Sequence, residues 1–293
     1  MKDSIDHLPS SKQKNLTYIV DVLRDELEQV TGFANGTKKH GRILKIILFG
    51  SYATGKWVNK PAYGYVSDYD ILVIVNQHDL VEEYKIWDLA EDRIALRVRQ
   101  PLNILVHTLD DVNEALVKGQ YFFTDIKHQG IVLYESDKRE LAAPGNLAPQ
   151  EYKEIAKEHF EVWFESSVGF YQQYEFALSI PRNNIAAFQL HQSAEHCFAC
   201  LLLVLTNYKP YTHNLIRLNS FAISQNERIA EVFPQDTKFH RRRFQLLKKA
   251  YVDARYSKHY KISEEELLWL GERVKLLQEI TKTLCEEKIA SFG

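Results

Sequence analysis

The stretches LFGSYATG (residues 48–55) and SDYDILV (residues 67–73) decide the fold. The first completes an apolar run that begins at Ile43, so it predicts a buried strand that ends in a turn at Gly50 and Ser51. The second continues as another apolar run and predicts a central strand. A glycine in the turn lets the backbone approach a phosphate group, and the start of a following helix would aim free amides at it. An ordinary strand-to-helix turn capped by serine has the same local sequence.

Two acidic residues open the second strand. Because side chains alternate along a strand, Asp68 and Asp70 should point to the same side and Tyr69 to the other. Adjacent carboxylates repel each other unless a cation lies between them, and Mg²⁺, or Mn²⁺ in its place, prefers such oxygen ligands. A solvated strand start would explain the two acids equally well if they stood alone. The information therefore lies in the ordered combination of strand, Gly-Ser, spacer and Asp-x-Asp.

The composition is that of an ordinary globular protein. Of 293 residues, 45% are hydrophobic and 26% are charged, and 37 Lys and Arg against 39 Asp and Glu give a formal net charge of −2. This balance argues against a dedicated nucleic-acid binder, although it is compatible with a local basic patch. The start lacks a signal-peptide pattern, no apolar run approaches the ~20 residues of a membrane span, and three cysteines give no disulfide framework. We therefore expect a cytoplasmic protein without membrane contact.

Patterns of strands and helices predict an α+β fold for the first half and an all-α bundle for the second. The segment Asp137–Pro149 is rich in Ala, Pro and Gly, and we place the boundary there, which gives domains at residues 1–140 and 149–293. The other predicted N-terminal elements are a helix capped by Ser10 or Ser11 and broken within Gly32–Gly41, a helix over Leu80–Arg97, a strand over Leu102–Val106, and a smaller helix and strand that reach Tyr134. The predicted C-terminal helices cover Gln150–Leu178, Asn183–Thr206, Phe239 to about Tyr256, and Glu264–Cys285, the last capped by Ser263.

LFGSYATG followed by SDYDILV resembles the Gly-Ser…Asp-x-Asp signature of minimal nucleotidyltransferases in the DNA polymerase beta superfamily. The resemblance implies a mixed sheet with helices, Gly50 and Ser51 on the triphosphate of an NTP, and Asp68 and Asp70 on magnesium. The implied chemistry is transfer of a nucleoside monophosphate to an acceptor with release of pyrophosphate. The spacer of 16 residues between Ser51 and Asp68 is longer than in compact members. It would cover a substrate or form an exposed hairpin, and it contains Trp57, Lys60, Tyr63 and Tyr65.

The family places a third carboxylate on a neighbouring strand, and this sequence departs from it there. NILV at residues 103–106 echoes DILV at residues 70–73, which puts Asn103 at the third position of the catalytic set. An amide can ligate a metal through its oxygen, but it carries no charge and cannot act as a general base. Three interpretations are open: slow chemistry with Asn103, nucleotide binding without turnover, or substitution by another acid, with Asp110, Asp111 and Asp125 as candidates.

Two stretches of the second half resemble the HEPN family of helical bundles, which commonly accompany minimal nucleotidyltransferases. They are FxLHQSAEHxxxxLLLVLTxYKPxTHNLxxL from Phe188 and AYVDARYSKHYKIS from Ala250. Many HEPN domains are ribonucleases that use an arginine and a histidine separated by four to six residues. Here three residues separate Arg255 from His259, which Tyr260 follows, so the implied site needs a helix that continues through them and places both on one face. HEPN-like bundles often pair, so a homodimer is expected by analogy.

Two other clusters of the second half favour structural roles. His191 and Glu195 lie one helical turn apart, but their surroundings match no zinc-protease spacing, and Cys197 and Cys200 lack a second ligand pair. We expect all four in or near the core. The basic cluster that runs from Lys238 to Lys249 would line an anionic channel or form a solvated helix face.

The sequence thus predicts a magnesium-dependent enzyme that transfers a nucleoside monophosphate from an NTP to an acceptor hydroxyl. The acceptor would be a small molecule, a protein or an RNA end. One alternative is a catalytically weakened nucleotide sensor. Another is a HEPN ribonuclease that the nucleotidyltransferase half regulates, in the manner of toxin–antitoxin pairs.

Overall fold

The computed structural model describes residues 1–32, 40–57, 59–60, 65–136, 138–180 and 182–293. The chain divides into two compact units, one built from residues 1–59 and 66–146 and the other containing residues 147–293. The first contains a mixed four-stranded sheet with helices, and the second is mostly helical, so the predicted α+β class is confirmed. No helix in the described ranges is long and apolar enough to cross a membrane.

The sheet of the first unit consists of the strands β1 (Ile43–Phe49), β4 (Tyr69–Val75), β5 (Leu102–Thr108) and β6 (Ile131–Glu135), and a separate two-stranded sheet contains β2 (Asn59–Lys60) and β3 (Tyr65–Val66). The strand order in the larger sheet is β5-β4-β1-β6. The middle strands β1 and β4 are antiparallel, β6 is antiparallel to β1, and the outer strand β5 runs parallel to β4. The helices are α1 (Ser10–Gly32), α2 (Gly50–Thr54), α3 (His78–Val81), α4 (Tyr84–Ala95), α5 (Leu109–Val117) and α6 (Tyr121–Gln129).

Both middle strands are buried at every position, as their continuous apolar runs predict. One face packs on α1 and α4, whose buried residues share a core with Tyr69, Ile71 and Val73. The opposite face meets α6, where the ring of Phe122 lies edge-on to Phe49. Because Phe49 is the direct partner of Asp70 in the sheet, Asp70 also points to this second face.

Most predicted elements of the first unit are confirmed, with two corrections. The strand Ile43–Phe49 has the predicted bounds, whereas the single helix predicted over Leu80–Arg97 is in fact two, α3 and α4. The indole of Trp87 donates to the carbonyl of Leu80 at the break, which satisfies a carbonyl that a continuous helix would have used. Likewise, two helices rather than one precede β6. Tyr63 of the spacer lies outside the described residues.

The second unit contains the long helices that the periodicity predicts. The helices of this unit are α7 (Pro149–Leu178), α8 (Asn183–Thr206), α9 (Leu215–Gln225), a 3-10 helix (Glu227–Glu231), α10 (Lys238–Lys249), α11 (Asp253–Tyr256) and α12 (Glu264–Ala290). Of these, α8 has the predicted bounds. The capping box of Ser263 and Glu266 confirms the predicted start of α12. The sequence prediction lacked α9, although its Asn214 cap and the helical spacing of Leu215 and Leu218 were a usable signal.

Candidate functional site

The two motifs meet at one edge of the sheet. The end of β1 and the start of β4 lie side by side because the strands are antiparallel, and β5 starts at the same edge because it is parallel to β4. The register therefore brings three residues into a row: Phe49 pairs with Asp70, and Asp70 pairs with Asn103. The predicted position of Asn103 opposite Asp70 is what the structure has.

Asp70 and Asn103 of this row form a compact polar cluster with Asp68. The Nδ2 group of Asn103 donates to Asp68 Oδ2 at 3.0 Å and to Asp70 Oδ1 at 2.9 Å. Asp70 and Asn103 are buried, with 3% and 4% of their surfaces exposed, and Asp68 is half-buried. A single amide thus bridges two neighbouring carboxylates, one buried and one half-buried.

Burial raises the pKa of both carboxyls. Desolvation raises the pKa of Asp68 to about 6, against the opposing effect of its hydrogen bond from Asn103. Desolvation and then the charge of Asp68 raise the pKa of Asp70 to about 8, and the Asn103 hydrogen bond again acts in the opposite direction. The pair consequently holds a proton near neutral pH, and a cation that binds both oxygens would displace it.

Gly50 allows this cluster to form. Its φ of +70° lies in the left-handed region, which costs a residue with a Cβ about 1 kcal/mol. In addition, a Cβ at this position would lie 2.4 Å from Asp70 Oδ2, far inside van der Waals contact. The glycine is therefore required by two independent constraints, and Ser51, which is half-buried, follows it in the first turn of α2.

We predict that Gly50→Ala weakens magnesium-dependent nucleotide binding by about tenfold or more, because the added methyl displaces a carboxylate that must be placed within a fraction of an ångström. The matched control is Gly55→Ala: Gly55 has a φ of +77°, but the nearest atom to its Cβ is 3.9 Å away, on His7. Both variants should lose similar thermal stability, because each places an alanine in a backbone conformation with positive φ. Calorimetric titration checks the prediction, and equal nucleotide affinities for the two variants would contradict it.

The pH dependence of stability follows from the raised pKa values of Asp68 and Asp70. In a chelator, the folded protein keeps protons that the unfolded chain releases between about pH 4 and pH 8, so the free energy of unfolding should fall as pH rises through that window. Added Mg²⁺ binds the deprotonated pair, so its stabilising effect should grow from about pH 6 to about pH 8 and then level off. Thermal denaturation with EDTA or Mg²⁺ at several pH values measures both trends. A magnesium effect that does not change with pH would contradict the assignment.

The alternative acids do not complete the cluster. Asp110 and Asp111 lie in the first turn of α5, at the other end of β5 and roughly 17 Å along the strand from Asn103. Asp111 is engaged in a capping box with Thr108. Asp125 lies in α6, and within the described ranges no group of three or more His, Cys, Asp or Glu side chains is arranged to hold a metal. The third position of the candidate site is therefore an amide.

Lys12 lies behind the site, and sequence patterns did not indicate it. Its side chain is largely buried, with Nζ 5.6 Å, 5.8 Å and 5.9 Å from the ring centroids of Tyr52, Tyr69 and Trp57. Desolvation lowers the pKa of its ammonium group. Since Tyr52 follows Ser51 and Tyr69 separates the two aspartates, this cage fixes both motifs from the side opposite the carboxylates.

The three residues of the implied HEPN site lie on different local structures. The helix α11 ends at Tyr256, so Arg255 and His259 do not share a helical face as the implied site required. The Arg255 guanidinium donates to the carbonyl of Tyr251 and lies over three aromatic rings, and His259 is exposed in the following turn. Tyr260 is buried, donates to the carbonyl of Leu246, and has its phenol pKa raised by desolvation.

The basic cluster of α10 is largely engaged in ion pairs. Arg243 is buried and pairs with Glu265, and Arg242 pairs with Glu266. The His240 ring donates from Nδ1 to Asp236 and stacks on Trp269. Arg242 and Arg243 are thus held by carboxylates, whereas the C-terminal Lys248 and Lys249 line a groove.

Comparison with protein families agrees with the geometry. Residues 33–139 match the family model described as polymerase beta nucleotidyltransferase, so the first unit contains a domain of that class. Residues 160–286 match the HEPN domain. The chain is a fusion of a polymerase beta nucleotidyltransferase domain and a HEPN domain. A search of curated proteins finds no match.

Proposed function

We propose that this protein is a Mg²⁺-dependent nucleotidyltransferase that moves a nucleoside monophosphate from an NTP to an acceptor hydroxyl. Its transferase domain would comprise residues 1–140 and its helical domain residues 149–293. The observation that carries the proposal is the convergence of Asp68 and Asp70 with the Gly50 turn at one sheet edge, in a domain of the matching family.

The donor set fits a divalent cation. Two carboxylates lie close together, their pKa values are raised, and the Asn103 amide donates to both, so binding a small hard cation would offset the repulsion between their charges. Asp68 and Asp70 would hold the ion, with the amide oxygen of Asn103 as a further ligand after rotation of that side chain. When bound, Mg²⁺ neutralises charge that develops on the departing pyrophosphate.

The residues of the chain divide the remaining tasks. Gly50 leaves room for the Asp70 carboxylate and for close approach of a phosphate, and the Ser51 hydroxyl would contact the triphosphate. Lys12 and its aromatic cage would keep the turn and the start of β4 at a fixed separation. An in-line attack by the acceptor oxygen then depends mainly on positioning, which these contacts supply.

A second candidate function, nucleotide sensing, rests on Asn103. A side chain that cannot accept the proton of the acceptor hydroxyl would leave a site that binds Mg²⁺-NTP and turns it over slowly or not at all. The hydrogen bonds from Asn103 to both carboxylates favour the hypothesis that this residue is a structural element of a binding site.

One experiment separates the two functions. The protein is incubated with Mg²⁺ and each of the four NTPs, and the heat of binding and the release of pyrophosphate are both measured. The transferase predicts pyrophosphate release that depends on an added acceptor: a hydroxylated small molecule, a protein or an RNA end. Nucleotide binding without pyrophosphate release in the presence of every acceptor class would favour the sensor. Failure of every NTP to bind would contradict both.

A further inference from the structure

A second polar site lies in the helical unit, in a groove of about 300 Å³ lined by His213, Asn214, Lys248, Lys249, Tyr251 and Asp253. We call it the His213 groove. Its volume is at the lower end of the range for small-ligand sites. No residue of the transferase site described above contributes to it.

The buried carboxylate of Glu195 organises the groove from below. Its Oε1 accepts from Nδ1 of His213 at 2.9 Å, and its Oε2 lies 3.4 Å from Nε2 of His191. Burial by itself would raise the pKa of the Glu195 carboxyl, but the hydrogen bonds and charges of the two histidines hold it below its ordinary value. His191 in turn directs Nδ1 at the carbonyl of Leu247, so that nitrogen must be a donor.

His213 is held in one orientation by two contacts. Nδ1 donates to Glu195, and the ring stacks on Tyr251 with a centroid distance of 4.3 Å and an interplanar angle of 15°. Half of the side chain is nevertheless exposed, and Nε2 is the polar atom that remains for the groove. A histidine oriented by a buried carboxylate, with its other nitrogen accessible, is the arrangement by which proteins present an imidazole to a ligand.

Two lysines, Lys248 and Lys249, line the same groove, and within the described residues neither ammonium group has an ion-pair partner. Helix α9 begins at Leu215, immediately after His213 and Asn214, so the positive end of its dipole is at the same edge. Lysines in the last turn of α10 also interact favourably with that helix's own dipole, but this role does not require them to line a groove with His213.

We propose that the His213 groove binds the phosphate group of a small hydroxylated molecule, of which a sugar phosphate is the simplest. Lys248, Lys249 and Nε2 of His213 contact the phosphate. Asp253, the acid of the groove, accepts hydrogen bonds from the hydroxyl groups, which keeps it away from the anion. Glu195 is a positioning residue.

Calorimetric titration of the full chain with ribose 5-phosphate in EDTA tests the lysines. Lys248→Ala with Lys249→Ala should weaken binding by about tenfold or more, because two charge-assisted contacts are lost. The control Lys258→Ala with Lys261→Ala removes the same charge from exposed positions outside the groove and should leave the affinity unchanged. Equal affinities for the two double variants, or no binding to the wild type, would overturn the proposal.

The role of His213 is tested by substitution. His213→Gln should weaken binding of ribose 5-phosphate by about fivefold, because the amide cannot reproduce the imidazole that Glu195 and Tyr251 hold in place. Glu195→Gln should weaken binding to the otherwise wild-type chain but should add little in the His213→Gln background, since it acts by orienting that ring. Equal losses from Glu195→Gln in both backgrounds, or no loss from His213→Gln, would overturn the assignment.

Two further measurements fix the ligand class and the independence of the site. Inorganic phosphate that binds as tightly as ribose 5-phosphate, or a short oligoribonucleotide that binds when the sugar phosphate does not, would overturn the assignment to a small hydroxylated molecule. The titration repeated with Asp68→Asn and Asp70→Asn should give the same affinity as the wild type. A loss there would place the binding in the transferase unit, whereas failure of nucleotide transfer leaves this result unaffected.

Discussion

Replacement of both site aspartates, Asp68→Asn with Asp70→Asn, is expected to reduce magnesium-dependent NTP affinity at least about 100-fold and to abolish pyrophosphate release. The substitution removes the charges that hold a divalent cation, which contribute several kcal/mol to such sites. It keeps the side-chain volumes, and the new amide oxygens can still accept the hydrogen bonds of Asn103. Titration with Mg²⁺ and each NTP measures the affinity, and a pyrophosphate assay measures the chemistry.

The same double variant has an opposite effect on stability, which separates loss of the site from loss of the fold. Because the folded protein no longer contains two buried carboxyls with raised pKa values, its free energy of unfolding at about pH 8 in EDTA should exceed that of the wild type. Asp110→Asn removes a charge at the far end of β5 and should leave the NTP affinity unchanged. Persistent magnesium-dependent triphosphate binding in a well-folded double variant would show that the nucleotide binds elsewhere.

Restoration of the third carboxylate by Asn103→Asp is expected to raise the rate of pyrophosphate release by about 100-fold with a suitable acceptor. The new carboxylate would lie beside Asp70 on β5, where it can ligate the cation and accept the proton of the acceptor hydroxyl, and a positioned general base contributes about 10²–10⁴-fold. Single-turnover measurement of pyrophosphate at saturating NTP isolates this step from binding.

Asn103→Asp also replaces the bridging donor with a third negative charge. Without a cation the variant should be less stable than the wild type, and Mg²⁺ should stabilise it more than it stabilises the wild type. Asn103→Ala is the matched control, since it removes the bridge without adding a carboxylate and should lower affinity without raising the rate. If Asn103→Asp binds Mg²⁺ more tightly but releases pyrophosphate no faster, position 103 is not that of the base.

The position of Asn103 was predictable from the sequence, whereas its hydrogen bonds were not. The echo of DILV in NILV was enough to predict that this residue stands beside Asp70, because parallel neighbours in one sheet carry similar apolar runs. The double hydrogen bond to both carboxylates was not predictable, since it depends on side-chain rotamers and on the exact height of two strands. The same applies to Gly50: that an added Cβ would lie 2.4 Å from Asp70 Oδ2 can be known only from atomic positions.

Sequence by itself determined the fold class, the central strands and the long helices, and it singled out Asp68 and Asp70 as the acids of the candidate site. These follow from apolar periodicity and from motif order, which are local properties of a chain. Only the tertiary structure decided which groups share a volume: Lys12 beneath Tyr52, and Glu195 between His191 and His213. In the folded protein, α11 ends at Tyr256, so Arg255 and His259 do not share the helical face that the implied site required. Burial, charge compensation and pKa depend on neighbours distant in the chain, and for that reason the electrostatics of the two candidate sites could be described only from the folded protein.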